Sequence, residues 1–248
     1  MRGKSIPRQR PISRKICEEP ASHTCALFCT LKSSPQWDVY LQATHRQAYP
    51  SHQIIFCEGD KADVVHLLCQ GEVKLVVSDR LDHRRIVHLI SGTRTPCDIL
   101  DKACLSIPAY SVTCETLKPC QICCLSRSTF LEFLREHPGF ALGVMNVLGA
   151  EVGHLMRDLQ EDSTLSARGR LAKGLLNLVH THGVPMRKGI AIGLSLRRQE
   201  LAELIGTTRE TVTRLLSEFS RRNIVTLEKR AICVLEPDRL TTIVRRAR

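Results

Sequence analysis

Short apolar runs separated by turn residues occupy the first half of the chain, between about residues 36 and 134. The runs lie at 53–56, 64–69, 73–77 and 86–90, and Glu58-Gly59-Asp60 and Gly71 mark turns between them. Runs of this length, with turn signals roughly ten residues apart, are typical of antiparallel sheets that close on themselves. The pattern therefore predicts a β-roll or barrel of the cupin-like jelly-roll kind.

The periodicity changes to that of a helix after Pro138. Five apolar residues then recur at alternating intervals of three and four: Met145, Leu148, Val152, Leu155 and Leu159. This is the spacing of a and d positions in a helix that pairs with another helix along a narrow seam. A helix packed only on its own domain would also satisfy so short a pattern. We predict that these five residues form a dimer interface.

The C-terminal third is predicted to contain a helix-turn-helix followed by a β-wing. Helices are predicted over 167–182, 197–205 and 208–222, and short strands over 225–235. Gly206 permits a tight turn between the second and third of these helices. The apolar positions that would face inward are Leu196, Leu201, Leu204, Ile205, Val212, Leu215 and Leu216.

The other face of the third predicted helix carries Thr208, Arg209, Glu210, Thr213 and Arg214. Arginine side chains at the N-terminal end of such a helix can donate to guanine O6 and N7, and a carboxylate can accept from cytosine N4. A helix that contacts only phosphates would have no use for Glu210, so this set predicts base reading. A three-helix bundle with a charged, solvated face is the alternative.

The distribution of charge supports a polyanionic partner. The formal net charge of the chain is +11. Residues 1–15 carry six basic side chains and no acidic one, residues 16–165 are net −5, and residues 166–248 are net +10. A third of the chain with this basic excess suits double-stranded DNA. We interpret the first 15 residues, which include two prolines, as a flexible basic arm.

Neither a membrane span nor a signal peptide is predicted. No apolar run approaches the roughly 18 residues that a bilayer requires, and the basic N-terminus continues into Ile16-Cys17-Glu18-Glu19-Pro20 instead of an apolar signal core. The sequence thus predicts a cytoplasmic protein without a membrane partner.

The 12 cysteines are many for a reducing compartment, where disulfides are rare, and they indicate metal, cluster or redox sensing. Four of them lie inside apolar strand patterns and are interpreted as core residues: Cys69, Cys114, Cys123 and Cys233.

The segment 194–225 resembles the helix-turn-helix of the CRP/FNR superfamily of bacterial transcription regulators. The motifs are Arg198-Gln199-Glu200, then Gly206, then Arg209-Glu210-Thr211-Val212 with Arg214, and the resemblance extends over roughly residues 37–248. It implies that Arg209, Glu210 and Arg214 contact base edges. Arg209 beside Thr213 leaves the reading of the outer bases open. The residues that the resemblance places on phosphates are Arg198, Gln199, Thr208 and Thr211.

The resemblance also implies a fold class and an assembly. We expect an α+β protein with a basic arm and a cysteine-containing segment at 1–36, a β-roll sensor domain at 37–137, a long dimerisation helix at 138–163 and a winged helix-turn-helix DNA-binding domain at 164–248. As a homodimer it would bind a palindromic operator in double-stranded DNA and contact RNA polymerase.

Cyclic-nucleotide binders of the superfamily carry a Gly-Glu-Leu stretch and then Arg-Ser or Arg-Thr, which together hold the cyclic phosphate. The corresponding stretches here run from Gly92 to Leu100 and over Pro108-Ala109-Tyr110-Ser111, and the second of them has no arginine. Because an anion in a buried site needs a paired charge, the sequence argues against cAMP as the effector.

FNR-type oxygen sensors of the superfamily use three N-terminal cysteines and one further cysteine to hold an iron–sulfur cluster. By this resemblance the ligands of a [4Fe–4S] or [2Fe–2S] cluster would be Cys17, Cys25, Cys29 and Cys120. The FNR arrangement has a tighter first spacing, so Cys57 could replace Cys17. A thiol switch or zinc site is an alternative that would use Cys97, Cys104, Cys123 or Cys124. Haem is another, with candidate ligands His45, His52, His66, His83 and His88, and the absence of any cofactor is the last.

Two other classes of function are less well supported. An enzyme would be expected to show a glycine-rich phosphate loop, a Gly-x-Ser-x-Gly elbow or a His-Glu-x-x-His zinc pair, and the sequence contains none of them. A constitutive architectural DNA binder would explain the charge but would leave the cysteine-rich β-roll without a role. We therefore expect a sequence-specific DNA-binding regulator that responds to redox state, oxygen or another small signal.

Overall fold

The computed structural model describes residues 42–81, 83–92, 98–162, 165–194, 196–228 and 231–247. The chain divides into two compact units. The first comprises Met1–Val77 with Val87–Ala150, and the second comprises Ser78–Ile86 with Glu151–Arg248. Among the described residues no helix is both long and apolar enough to span a membrane.

The first unit is built on two four-stranded sheets, which we call the β-roll. One sheet has the strand order β1-β8-β3-β6 and the other the order β2-β7-β4-β5. The strands are β1 (His45–Tyr49), β2 (Ile54–Phe56), β3 (Val64–Gln70), β4 (Glu72–Ser78), β5 (Arg84–Ser91), β6 (Asp98–Ile99), β7 (Thr113–Thr116) and β8 (Cys120–Ser126). A short 3-10 turn, Lys102–Leu105, connects β6 towards β7.

The centre of the β-roll is apolar because alternate residues of its strands turn inward. Strand β3 pairs antiparallel with β8, so that Leu68 lies opposite Ile122 and Val65 opposite Leu125. All four of these side chains are at most 2% exposed. Helix α1 (Arg127–Glu136) begins directly after β8, where the Ser126 hydroxyl accepts from the backbone N–H of Thr129. Its Phe130 and Phe133 are part of the same core.

Helix α2 (Pro138–Asp162) has 25 residues. Its Phe140 and Val144 are buried in the β-roll core. Leu148, predicted to lie on the dimer seam, is partly buried against that same core. Leu148 thus has apolar neighbours within its own chain, and its place on a dimer seam stays a prediction. The large apolar side chains that α2 leaves exposed are Leu142, Met145, Val147, Val152, Leu155 and Met156, and the side chain of Leu159 lies outside the described residues.

The second unit includes the end of α2 and four further helices. These are α3 (Ala167–His182), α4 (Arg198–Ile205), α5 (Arg209–Arg221) and α6 (Pro237–Arg246). A small sheet of order β11-β12-β10-β9 completes it. Its strands are β9 (Gly183–Pro185), β10 (Ile190–Ile192), β11 (Val225–Glu228) and β12 (Ala231–Val234). The predicted helices and the wing are all present. The α+β fold class is confirmed: antiparallel β-sheets come first, and the helix-turn-helix is C-terminal.

Candidate nucleic-acid interface

The turn between α4 and α5 depends on Gly206. This residue ends α4 in the left-handed region, with a φ of 63°, and the next N–H, that of Thr207, donates to the Ala202 carbonyl at 3.0 Å. A Cβ added at Gly206 would meet no atom within 4 Å. Glycine is therefore favoured here by its backbone conformation and not by lack of space.

The N-terminus of α4 is held by Glu200, which is 4% exposed and accepts from the backbone N–H of Arg197 at 2.8 Å. The first two residues of α4 are Arg198 and Gln199, both predicted to contact phosphates. Partial burial lowers the pKa of the Arg198 guanidinium. The exposed Gln199 amide donates to Glu203 at 3.3 Å. Both side chains thus start from the same helix end, where backbone N–H groups also favour an anion.

The N-terminus of α5 is capped by Thr208. Its hydroxyl accepts from the Thr211 backbone N–H at 3.2 Å and lies 3.0 Å from the Thr211 hydroxyl. This cap satisfies one of the N–H groups that every helix leaves unbonded in its first turn. Arg209 and Glu210 follow immediately, and both are exposed. The carboxylate of Glu210 lies at the positive end of the helix dipole, where it is stabilised.

The two faces of α5 differ sharply in burial. Val212, Leu215, Leu216 and Phe219 are each at most 3% exposed and face the interior of the unit. The predicted base-reading side chains Arg209, Glu210, Thr213 and Arg214 are exposed together on the opposite face. The Thr213 hydroxyl donates to the Arg209 carbonyl at 2.8 Å. Only the lone pairs of its oxygen and its methyl group are then available to contact a binding partner. Two further residues lie on this face that the sequence analysis did not select, Ser217 and Arg221.

Arg170 on α3 is a positioning residue that the sequence analysis missed. Its Nε donates to the Ile205 carbonyl at 2.8 Å, its Nη1 to the Leu165 carbonyl at 2.9 Å and its Nη2 to the Gly206 carbonyl at 3.1 Å. A cation that bonds the last carbonyls of a helix is favourable both as a hydrogen-bond donor and through the helix dipole. Arg170 therefore fixes the end of α4 and the turn that leads into α5.

The cysteine prediction is only partly covered by the described residues. Cys17, Cys25, Cys29 and Cys97 lie outside them. Cys120 is 2% exposed, and its thiol donates to the carbonyls of Lys118 and Glu72, at 3.1 and 3.4 Å. Burial raises the pKa of this thiol to about 11. A cluster ligand must be a thiolate, so ligation by Cys120 would require the loss of this proton.

Within the described part of the chain, no group of three or more His, Cys, Asp or Glu side chains is arranged to hold a metal ion. Among the candidate haem ligands, His45, His52 and His83 are exposed. His66 lies among aromatic rings, with centroids 5.1 Å from Phe56 and 5.8 Å from Tyr110. Burial lowers its pKa to about 4, so the imidazole is neutral at physiological pH. Cys114, Cys123 and Cys233 are buried as predicted, whereas Cys69 is partly exposed.

Asp101 directly follows the stretch from Gly92 to Leu100, which by the resemblance corresponds to part of the phosphate site of cyclic-nucleotide binders. This carboxylate is 5% exposed. It accepts from the backbone N–H of Ser111 at 2.8 Å, from the Ser111 hydroxyl at 2.9 Å and from the Ala103 N–H at 3.1 Å. These three donors are thus bonded to a side chain of the chain itself.

Comparisons with known proteins agree with this architecture. A model of the Crp-like helix-turn-helix domain matches residues 169–243, and a model of the cyclic nucleotide-binding domain matches residues 46–137. A CRP-like cAMP-activated global transcriptional regulator of Mycobacterium tuberculosis is 24% identical over 201 residues, which cover 81% of this chain and 87% of that protein. A global nitrogen regulator of Synechocystis sp. is 29% identical over 203 residues, covering 77% of this chain and 84% of that protein. These relatives are regulators, not enzymes.

Solved structures share the fold at lower identity. The c-di-GMP responsive global regulator CLP of Xanthomonas campestris superposes with a TM-score of 0.71 and 18% identity, covering 80% of this chain and 97% of that one. A mutant of CooA from Carboxydothermus hydrogenoformans gives a TM-score of 0.70 and 21% identity, covering 88% of this chain and 95% of that one.

Proposed function

The chain belongs to the CRP/FNR family of transcription regulators, and we propose that it binds a specific palindromic operator as a homodimer, with α5 as the helix that reads the bases. The exposed face of α5 carries this proposal. Arg209, Glu210 and Arg214 lie there together, while the opposite face is buried. Two donors and one acceptor at the start of a helix match the pattern of guanine and cytosine edges in the major groove.

The phosphate contacts are assigned to residues around the two helix N-termini. Arg198 and Gln199 begin α4, and Thr208 and Thr211 form the cap of α5. These contacts would set the register of the protein on DNA without reading its sequence.

Competition binding with a panel of operator variants tests the assignment. Glu210→Ala should cost about 1–3 kcal/mol on the proper site and relax preference at one base pair. Arg198→Ala should weaken binding to all sequences alike and make binding less sensitive to salt. Glu132→Ala removes an exposed carboxylate from α1 in the β-roll and serves as the charge-matched control. An unchanged sequence preference in Glu210→Ala would show that α5 is not docked as proposed.

Dimerisation is assigned to the exposed apolar stripe of α2. Met145, Val152 and Leu155 are 46–64% exposed in the single chain, and apolar side chains in such a row are usually covered by a partner. A two-fold dimer would place its two α5 helices in successive turns of the major groove, on the order of 34 Å apart. We further propose RNA polymerase as the protein partner of the DNA-bound dimer.

We propose that the β-roll responds to a signal other than a cyclic nucleotide. The named relatives include a cAMP-activated regulator, a c-di-GMP responsive regulator and a nitrogen regulator, so the shared fold does not specify one effector. The buried carboxylate of Asp101 supports the proposal, because it would repel a phosphate and already accepts the Ser111 donors. Titration with cAMP and cGMP should change neither the melting temperature nor the operator affinity, and a saturable increase in either would overturn this part.

A [4Fe–4S] cluster on Cys17, Cys25, Cys29 and Cys120 remains our proposal for a redox signal. It requires the Cys120 thiol to leave its two carbonyl acceptors and lose its proton. Anaerobically purified protein should then contain iron and acid-labile sulfide and should absorb broadly near about 400 nm. Cys120→Ser should lose these signals and Cys233→Ser, on β12, should keep them. Iron-free, colourless protein would exclude the cluster and would leave the DNA-binding proposal intact.

A further inference from the structure

Two cysteines of the β-roll lie in contact on neighbouring strands. Cys69 is on β3 and Cys123 is on β8, 54 positions apart in sequence, and their sulfur atoms are 2.7 Å apart. A disulfide bond measures about 2.05 Å. A shift of well under 1 Å therefore separates the observed contact from a covalent bond. Neither residue belongs to the predicted set of cluster ligands.

A β-bulge brings the two side chains together. In the β3–β8 ladder Leu67 lies opposite Cys123, Leu68 opposite Ile122 and Gln70 opposite Gln121, so Cys69 is the extra residue on β3. In a regular ladder Cys69 would be a diagonal neighbour of Cys123, at about 7–8 Å between backbone positions, which is too far for a disulfide. A bulge re-aims the side chain of its extra residue. The irregularity thus creates the sulfur contact.

The two thiols differ in access to solvent. Cys69 is partly exposed, whereas Cys123 is 6% exposed on the central strand between β1 and β3. The hydrogen bond with Cys69, followed by burial, raises the pKa of Cys123, while the nearby Arg46 guanidinium lowers it. The Cys69 thiol also donates to the Leu67 carbonyl at 3.7 Å, and its sulfur is the one of the pair that an oxidant can reach.

We propose that Cys69 and Cys123 are a redox-active dithiol that a hydroperoxide converts into a reversible disulfide. The Cys69 sulfur loses its proton and attacks one oxygen of hydrogen peroxide, the O–O bond breaks, and Cys69 becomes a sulfenic acid while the leaving hydroxide takes up the Cys69 proton as water. The Cys123 thiol then attacks the Cys69 sulfur, the S–O bond breaks and water leaves with the Cys123 proton. Two thiols and one peroxide give one disulfide and two waters. A dithiol reductant reverses the change.

Peptide mapping of the full-length protein tests the link directly. Protein treated with stoichiometric hydrogen peroxide, alkylated with N-ethylmaleimide and digested with trypsin should yield residues 62–74 joined to residues 103–127. The second peptide contains five cysteines, so fragmentation must localise the link to Cys123. Treatment with dithiothreitol before alkylation should restore two maleimide adducts. Cys69 that remains fully alkylated after oxidation, or a link to a different cysteine, would refute the proposal.

Variants separate the two thiols and control for folding. Cys124→Ser changes the neighbouring cysteine on β8 and should keep the disulfide. Cys123→Ser should lose it and accumulate Cys69 sulfenic acid, which dimedone traps as a stable adduct. If Cys123→Ser does not fold, the wild-type map decides alone, because its fragment ions name both partners. A peroxide-dependent link that persists in folded Cys123→Ser, or the absence of a dimedone adduct there, would contradict the assignment.

Discussion

Replacing Arg170 by Met should destabilise the second unit more than replacing an exposed arginine of that unit by Met would. The guanidinium spans three carbonyl groups, those of Leu165, Ile205 and Gly206. Methionine keeps most of the aliphatic stem and removes all of the donors. The carbonyls at the end of α4 would then lose their cationic partner, at the point where the chain turns into α5.

The expected loss follows from the environment of each bond. The bonds to Ile205 and Leu165 are partly buried and the bond to Gly206 is exposed. Charge-assisted bonds contribute about 1.5 kcal/mol each at the lower end of their range, and an exposed one only a few tenths. The sum is about 3 kcal/mol. For a unit of this size, 1 kcal/mol corresponds to roughly 4–8 °C, so we expect a fall in melting temperature of more than about 10 °C.

Differential scanning calorimetry of the full chain resolves this change, since the second unit should melt earlier while the β-roll does not. Arg187→Met is the matched control, because Arg187 is exposed in the β9–β10 hairpin. Its loss should stay within about 0.5 kcal/mol. Arg170→Lys should fall between the two, since an ammonium cannot span all three carbonyls. Equal melting temperatures for Arg170→Met and Arg187→Met would refute the positioning role.

Three further expectations concern the dimer and the β-roll. Leu155→Asp should place like charges across the proposed seam, so that sedimentation gives a monomer with greatly reduced operator affinity; an intact dimer would place the interface elsewhere. Gly71→Ala should cost about 2–4 kcal/mol in urea unfolding, because its φ is 99° and a Cβ would lie 2.4 Å from the Pro119 carbonyl. Gly59→Ala, with a φ of 84° and open space around the Cβ, should cost only about 1–2 kcal/mol. Burial lowers the pKa of His66 to about 4 from its ordinary 6.5, so the unfolded chain takes up a proton at a higher pH than the folded chain does. The free energy of unfolding of the β-roll should therefore fall by up to about 3 kcal/mol as pH falls from about 6.5 to about 4. Unfolding midpoints that are flat across this window, or the same slope in His66→Gln, would contradict this.

Elements with strong periodicity could be predicted from sequence, and short elements could not. Helix α5 was predicted within one residue of each end, because four buried positions repeat every three to four residues and Thr208 provides a cap. The hairpin of β9 and β10 was missed, since strands of three residues carry no measurable alternation. Helix α6 was missed as well, although Pro237 at its start is a recognisable signal.

In the candidate site, contacts between residues close in sequence could be predicted, and contacts between distant residues could not. Side chains on one helix face, such as Arg209 and Arg214, follow from local spacing. The role of Arg170 does not, because two of its acceptors lie 35 and 36 residues away in sequence. The contact of Cys69 with Cys123 depends on a bulge, which shifts the register by one residue without any marker in the pattern. Cys120 was selected by resemblance to a ligand set, and its burial became apparent only in the folded chain.

The carboxylate of Asp101 has a thermodynamic consequence for the β-roll. A loop whose donors await a ligand gains stability by mass action, in proportion to the logarithm of the ligand concentration. Here the acceptor is tethered ten positions from Ser111, so its effective concentration is fixed by the chain and cannot be varied by the cell. A free anion would have to displace a partner that never diffuses away. An effector that used the Ser111 donors would therefore bind with an affinity lowered by the competition of Asp101.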